Sequence, residues 1–259
     1  MPQAPQIEWH EQWSLFRKPE IPFLFEEWIF PNKLEDFRGK SVLECGCGGG
    51  QHTALMAPFA NKIVAVDLNT IDLAKDLNRD AQNIVFRQEN ILDMNLGEEF
   101  DIVLSIGVIH HTDHPEKAVE NLKRHLSRGG RIILWVYSQK GNFLMKHLVE
   151  PARRLIFKKL SRRNLKFFSQ GITLLLYVPV YSLYLFPLPF LPYFGYFKNF
   201  RRLPFYRNTL NIFDKLNAPQ VDFISKKRIQ TWFSEAEFKD IHVSPYVGVS
   251  WRISATRKI

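Results

Sequence analysis

A chain of 259 residues, 46% of them apolar and 14% aromatic, can bury a large core; it is long for one α/β domain and short for two. Its two cysteines, Cys45 and Cys47, stand one residue apart, where a disulfide would be badly strained and a zinc ion would lack two thiolates, so a disulfide scaffold and a structural zinc site are excluded. The net charge of +9 is a first cue for nucleic acid, and its placement along the chain decides whether that cue holds.

The first forty residues mix Glu8, Glu11, Glu20, Glu26 and Glu27 with Trp9, Trp13 and Trp28, and lack the basic start and apolar run of a secretory signal, so a cytoplasmic location is expected. Phe25 to Pro31 is too aromatic for an exposed tail and reads as part of a helical lid over residues 1–38. Val42 to Thr53 then runs a short apolar strand into a glycine cluster that opens a helix. Gly46, Gly48 and Gly50 can take backbone angles closed to other residues and admit a ligand close to the main chain. Lys62 to Asp67 reads as a second buried strand ending in a carboxylate, the position from which an acid reaches ribose hydroxyls in doubly wound nucleotide sites. Gln51 stands where the third glycine of G-x-G-x-x-G would fall, which disfavours NAD. A helix is expected over Asn69 to Asn78. Phe100 to Thr112 reads as a further strand and a loop carrying His110 and His111; Asp113 is expected to cap the next helix, with Glu116 three residues on and Pro115 in the first turn. Arg131 to Tyr137 is the next strand.

The segment 140–213 departs from this alternation. Between Pro151 and Phe213 there are eleven cations and no Asp or Glu, more than the whole chain's net charge, so the basicity belongs to this insertion. Within it Gly171 to Phe197 is uncharged and rich in Leu, Tyr, Phe and Val. A greasy centre with cationic flanks points to an anionic membrane surface. A single crossing would leave the last strands on the wrong side of the bilayer, and Pro179, Pro187, Pro189 and Pro192 interrupt the run, so a platform of short interfacial helices is expected in place of a spanning helix. An apolar cap over a substrate pocket or a dimer contact are the other readings. Nucleic acid is disfavoured, because the cations flank an aliphatic block, and neither an Asn/Asp-Pro-Pro-Tyr/Phe tetrapeptide nor a Pro-Cys nucleophile is present. Residues 214–259 complete the core: Ile224 to Phe238 places Ile229, Trp232, Phe233 and Ala236 at helical spacing behind Ser225 as N-cap, and a β-hairpin follows near Ile241 to Ala255.

Glu44-Cys-Gly-Cys-Gly-Gly-Gly50, Glu89-Asn-Ile91, Phe100 to Thr112 and Leu126-Ser-Arg-Gly-Gly-Arg-Ile-Ile-Leu134 occur in this order, and together they resemble the motifs of the class I S-adenosylmethionine (SAM) methyltransferases. The resemblance is strong over residues 40–137. It implies a doubly wound, Rossmann-like sheet of seven mostly parallel strands, with the SAM-binding core at 39–139, a helical lid before it and the insertion ahead of the C-terminal strands. It further implies that Gly46, Cys47, Gly48 and Gly50 shape the loop at the methionine and ribose of SAM, with Glu44 holding that loop. Asp67 would meet the ribose diol, Leu68, Asn90 and Ile91 the adenine, and Ser105 and Ile106 the methionine end. Transfer to a hydroxyl or carbon acid needs a base, and His110 and His111, at the carboxyl edge of the sheet, are the candidates. The expected acceptor is hydrophobic or membrane-associated: a lipid, a quinone precursor or a polyprenyl-linked compound, met by peripheral contact at the inner face of the cytoplasmic membrane. A soluble small metabolite, with the insertion as cap, and a non-catalytic SAM-binding scaffold are the alternatives.

Overall fold

The computed structural model describes residues 7–259; residues 1–6 of the expected lid lie outside the described residues. The chain forms two compact units: unit 1 comprises residues up to Tyr137 with Gln220–Ser244 and Trp251–Ile259, and unit 2 comprises Ser138–Pro219 with Pro245–Ser250.

Unit 1 is built on a seven-stranded sheet of order β3-β2-β1-β4-β5-β7-β6, with β1 at Ser41–Cys45, β2 at Lys62–Asp67, β3 at Ile84–Gln88, β4 at Phe100–Ile106, β5 at Leu126–Tyr137, β6 at Phe238–Tyr246 and β7 at Ser250–Arg257. β1 to β5 pair in parallel, which buries the apolar runs of β1, β2 and β4 on both faces while Val85 of the edge strand β3 stays exposed, and β6 and β7 add the terminal hairpin. The order reverses between β1 and β4, so a crevice opens at the carboxyl ends of these two strands. Helices α1 (Ile7–Leu15) and α2 (Pro22–Ile29) precede the sheet. Helices α3 (Gln51–Met56), α4 (Ile71–Leu77) and α5 (Pro115–Arg124) connect the parallel strands.

Local differences from the expected elements have physical reasons. β5 begins five residues early: Leu126 pairs with Phe100, and the register then jumps so that Arg131 faces Ile102, with the glycines bulging between. The N-cap of α5 is His114 and not Asp113; its side chain makes no capping bond, and Pro115 alone sets the start. Near the C-terminus Ser225 does cap its helix, accepting from Arg228 N–H. That helix stops at Trp232, and Ala236 is exposed while Ile229, Trp232 and Phe233 are buried, so only part of the expected stripe is core.

Unit 2 is helical. A π-turn at Met145–Val149 leads into α6 (Glu150–Leu155); α7 (Arg162–Val180), α8 (Phe194–Phe200) and α9 (Phe205–Asn217) follow, and the helix Lys226–Trp232 of unit 1 is α10. α7 and α9 run antiparallel: Arg162 at the start of α7 donates to Asn217 Oδ1 at the end of α9 over 2.6 Å, while Asn208 near the start of α9 donates to the Tyr177 hydroxyl over 3.1 Å. At 19 residues α7 is longer than the short helices expected, because Pro179 falls in its last turn and does not interrupt it. No helix among the described residues is long and apolar enough to cross a membrane.

Candidate functional site

Three consecutive constraints shape the loop after β1. Gly46, Gly48 and Gly50 all have φ between 55° and 83°, the left-handed region. At Gly48 a Cβ would stand 2.8 Å from the Trp13 indole, and at Gly50 it would stand 2.5 Å from Asn78 Nδ2 and 3.0 Å from Ala74 Cα. The loop is therefore pressed between α1 on one side and α4 on the other, with no room for a side chain. Gly46 and Cys47 donate to Val66 O, which ties the loop back to β2. Such a cradle of close-approach glycines ahead of a helix fits the methionine and ribose of SAM.

Two carboxylates hold this loop, one half-buried and one buried. Asp67, at the end of β2, accepts from Gly48 N–H at 3.0 Å, Asn69 N–H at 2.9 Å and Thr70 N–H at 3.2 Å, and burial pushes its pKa up against these bonds. It closes the glycine turn and starts the turn into α4 with the same carboxylate. Glu44, 2% exposed, accepts from the Thr53 hydroxyl at 2.5 Å and faces His52 Nδ1 at 3.8 Å. Burial raises its pKa from 4.5 to about 7, opposed by His52 and Thr53. His52 also stands 3.7 Å from Glu20, stacks on Phe25 at 5.0 Å and meets the edge of Trp28 at 5.6 Å. The sequence pattern carries no signal that joins Glu20 to His52. No short-range spacing joins residues 20 and 44; only the fold brings them to one imidazole.

The remaining expected cofactor residues divide. Cys47 is buried in the loop, and burial raises the pKa of both thiols, which makes them unreactive. Leu68 is half-buried at the end of β2, and its carbonyl accepts from Gln88 Nε2 at 2.9 Å. Asn90 Oδ1 accepts from Leu92 N–H at 3.0 Å, so part of its hydrogen-bonding capacity shapes its own turn. Ile91 points into the hydrophobic core, and its carbonyl accepts from Asn121 Nδ2 at 3.1 Å. Ser105 is fully buried and donates to Cys45 O at 2.9 Å, stitching the end of β4 to the end of β1, and Ile106 is buried beside it.

At the end of β4 the chain makes a single 3₁₀ turn over Ile109–His111, which turns both histidines inward. His111 Nδ1 lies 2.7 Å from Gln220 O; a carbonyl only accepts, so this nitrogen carries the hydrogen and Nε2 the lone pair. Gln220 Nε2 donates back to His111 O at 2.9 Å, which fixes the residue from both ends. His110 Nδ1 instead accepts from Tyr137 N–H over a long 3.4 Å, which puts the hydrogen on Nε2. Two adjacent histidines thus hold opposite tautomers. Around them stand Trp9, 4.8 Å from the His111 ring, Tyr137, 4.2 Å from that of His110, and Trp135, 5.4 Å from Trp28. α1 accordingly spans from Trp9 on His111 to Trp13 on Gly48. The aromatic signal at Trp9, Trp13 and Trp28 was visible in the sequence; Trp135 and Tyr137 read only as strand.

Comparison with known proteins agrees with this geometry. Residues 43–134 match the family model described as a methyltransferase domain. The chain is 30% identical to a tRNA U34 carboxymethyltransferase of Alteromonas mediterranea over 138 residues, which are 49% of this chain and 38% of that protein. It is 27% identical to the protein of the same name from Hydrogenovibrio crunogenus over 136 residues, 49% of this chain and 37% of the relative. The match thus spans less than two-fifths of the length of these curated relatives. An O-methyltransferase family protein from Burkholderia thailandensis shares the fold with a TM-score of 0.55 at 11% identity, over 91% of this chain and 56% of that one. The SAM-dependent methyltransferase SibL superposes with a TM-score of 0.52 at 13% identity, over 91% and 55%. With this sheet order and this glycine cradle, residues 43–134 form a methyltransferase domain of the class I kind, whose cofactor is SAM.

Proposed function

We propose that the protein methylates a hydrophobic acceptor at the surface of an anionic membrane, with His111 as the base. One observation carries the membrane reading. Among the described residues all large exposed apolar side chains except Ile7, Phe30, Val85 and Ile259 lie between Phe143 and Phe190 in unit 2. α7 shows the pattern best, since it is inside out: it buries Leu165, Val180 and the small polar Ser169 and Thr173, and exposes Phe167, Phe168, Leu174, Leu175 and Val178. Both hydroxyls bond to carbonyls one turn back, so they cost nothing at a close helix contact. Small residues inward and large apolar ones outward is the packing of helices bathed in lipid. Exposed Lys158, Lys159 and Arg163 supply the attraction to anionic headgroups.

When bound, SAM supplies an electrophilic methyl group. The residues at hand would hold it through the glycine loop and the two carboxylates, while the aromatic rings about the histidines exclude water. His111 Nε2, by its tautomer, accepts the proton that a hydroxyl or carbon acid must lose; the hydrogen on His110 Nε2 suits it to donate to an acceptor oxygen. The relatives' name makes RNA the second reading, supported by the similarity over the SAM-binding half of the chain. Incubating the protein and methyl-labelled SAM with separate lipid, RNA and polar fractions of the source cell decides between them. Label is expected in lipid; label in RNA or in the polar fraction instead would overturn the proposal.

A further inference from the structure

Unit 2 contains a buried cation that its own chain does not satisfy. Arg153 is the single buried residue of α6 and is 1% exposed. Its Nη2 meets Glu150 Oε1, but Nε and Nη1 have no hydrogen-bond partner. The same Glu150 oxygen also receives Arg154 Nε at 2.8 Å, so one carboxylate serves two guanidinium groups. An arginine cannot escape by releasing its proton, and a buried charge left half-paired is costly enough to call for a partner. α6 packs against α9, where the Thr209 hydroxyl, 2% exposed, also has no partner. A third buried orphan, the Tyr196 hydroxyl, belongs to a ring covered by Lys215 of α9 at 5.0 Å. The guanidinium only donates, whereas the two hydroxyls can donate or accept. Asn208 Oδ1, an acceptor, is the remaining orphan on α9. Around Arg153 in the sequence, Leu148, Leu155 and Ile156 are all more than half exposed.

We infer that Arg153, with Thr209, is a binding site for a phosphate group carried by an amphiphile, the phosphate taking the free edge of the guanidinium and the chains lying along Leu148, Leu155 and Ile156. The planar fork of an arginine presents two parallel N–H donors, which match two phosphate oxygens. A phosphate would restore the charge balance that Glu150, shared with Arg154, leaves short. The inference rests on the reading of unit 2 as the lipid-facing part and names the headgroup chemistry it selects.

The test is binding by the whole chain in solution, without vesicles and without SAM, so that it stands apart from membrane docking and methyl transfer. Short-chain phosphatidic acid, short-chain diacylglycerol and inorganic phosphate are titrated separately, with Tm and calorimetric Kd as readouts. Phosphatidic acid is expected to raise Tm and diacylglycerol not; a rise with inorganic phosphate as well would identify a free anion as a second source of the same chemistry. Arg153→Leu removes a half-paired buried charge, so it should fold at least as stably as the parent and lose the response. Thr209→Val, which leaves the cation in place, should weaken phosphatidic acid binding about tenfold, and it decides the matter if Arg153→Leu does not fold. An absent response to both anions, an equal response to diacylglycerol, or undiminished binding by the variants that fold would overturn the site. Failure of vesicle binding or of lipid labelling with the anion response intact would instead refute the functional reading alone.

Discussion

Glu44 offers the most direct physical test of the cofactor loop. Its carboxyl titrates at about 7 in the folded protein against 4.5 as a free side chain, chiefly because burial disfavours the charge. Between these two values the folded state binds the proton and the unfolded state does not, so stability falls as pH rises through that window. A shift of this size is worth about 3 kcal/mol once both states are ionised. The neutral isostere Glu44→Gln keeps an acceptor for the Thr53 hydroxyl and cannot ionise. Its stability relative to the parent should be near zero difference at pH 4.5 and should grow to roughly 3 kcal/mol in its favour by pH 8, on the order of 5–10 °C in Tm for a chain of this size. Taking the difference between the two proteins cancels Asp72, Asp101 and Glu116, whose lowered values work in the opposite direction, and leaves of Asp67, whose raised pKa works in the same one, only its coupling to Glu44. Thermal scans at several pH values provide the assay. A difference that stays flat from pH 4.5 to 8 would show that Glu44 remains ionised in the fold, through His52 or through water, and would refute the reasoning.

Other substitutions separate backbone, latch and chemistry. Gly50→Ala meets both a left-handed φ of 80° and a contact of 3.0 Å to Ala74 Cα, so it should lower Tm and weaken SAM binding at least tenfold by calorimetry; Gly97→Ala, with φ of 68° but nothing within 4 Å, should cost about 1–2 kcal/mol of stability with an unchanged Kd. Ser105→Ala removes one buried hydrogen bond and should cost about 1 kcal/mol, with SAM affinity within about twofold of the parent; a tenfold loss of affinity would return Ser105 to the cofactor site. His111→Gln should reduce single-turnover methyl transfer roughly 10²–10⁴-fold, and His110→Gln by less; the reverse order would overturn the tautomer assignment.

The doubly wound sheet was legible because it is written in local signals. β2 falls where the apolar run ending in Asp67 put it, and the positive φ of Gly46, Gly48 and Gly50 is what a strand running directly into a helix demands. What escaped is non-local. Glu20 reaches His52 through the turn after α1, and the tautomer of His111 is set by a carbonyl 109 residues further on. Ser105 and Ile91 show structural roles that their motif position did not announce. Motif position suggested the cofactor for both, yet a serine inside a parallel sheet finds its partner in the next strand, and an isoleucine beside a buried Asn121 finds the core.

α7 marks a deeper limit. Its uncharged stretch from Gly171 was plain in the sequence, but the usual rule for an amphipathic helix, large apolar residues inward, would have placed Phe167, Phe168, Leu174 and Leu175 against α9. The helix buries Ser169 and Thr173 instead. That choice brings the backbones of α7 and α9 close and leaves the larger residues for whatever lies outside. In water, leaving each such side chain exposed forgoes about 1.5–3 kcal/mol relative to burial, a large sum for a protein whose total stability is on the order of 10 kcal/mol. Under the proposed membrane contact the same residues would be buried in a lipid leaflet, where the arrangement is the favourable one. The inside-out pattern thus carries information that hydropathy does not: composition shows that a segment is greasy, whereas the burial of its small residues and the exposure of its large ones is what supports the proposed lipid contact.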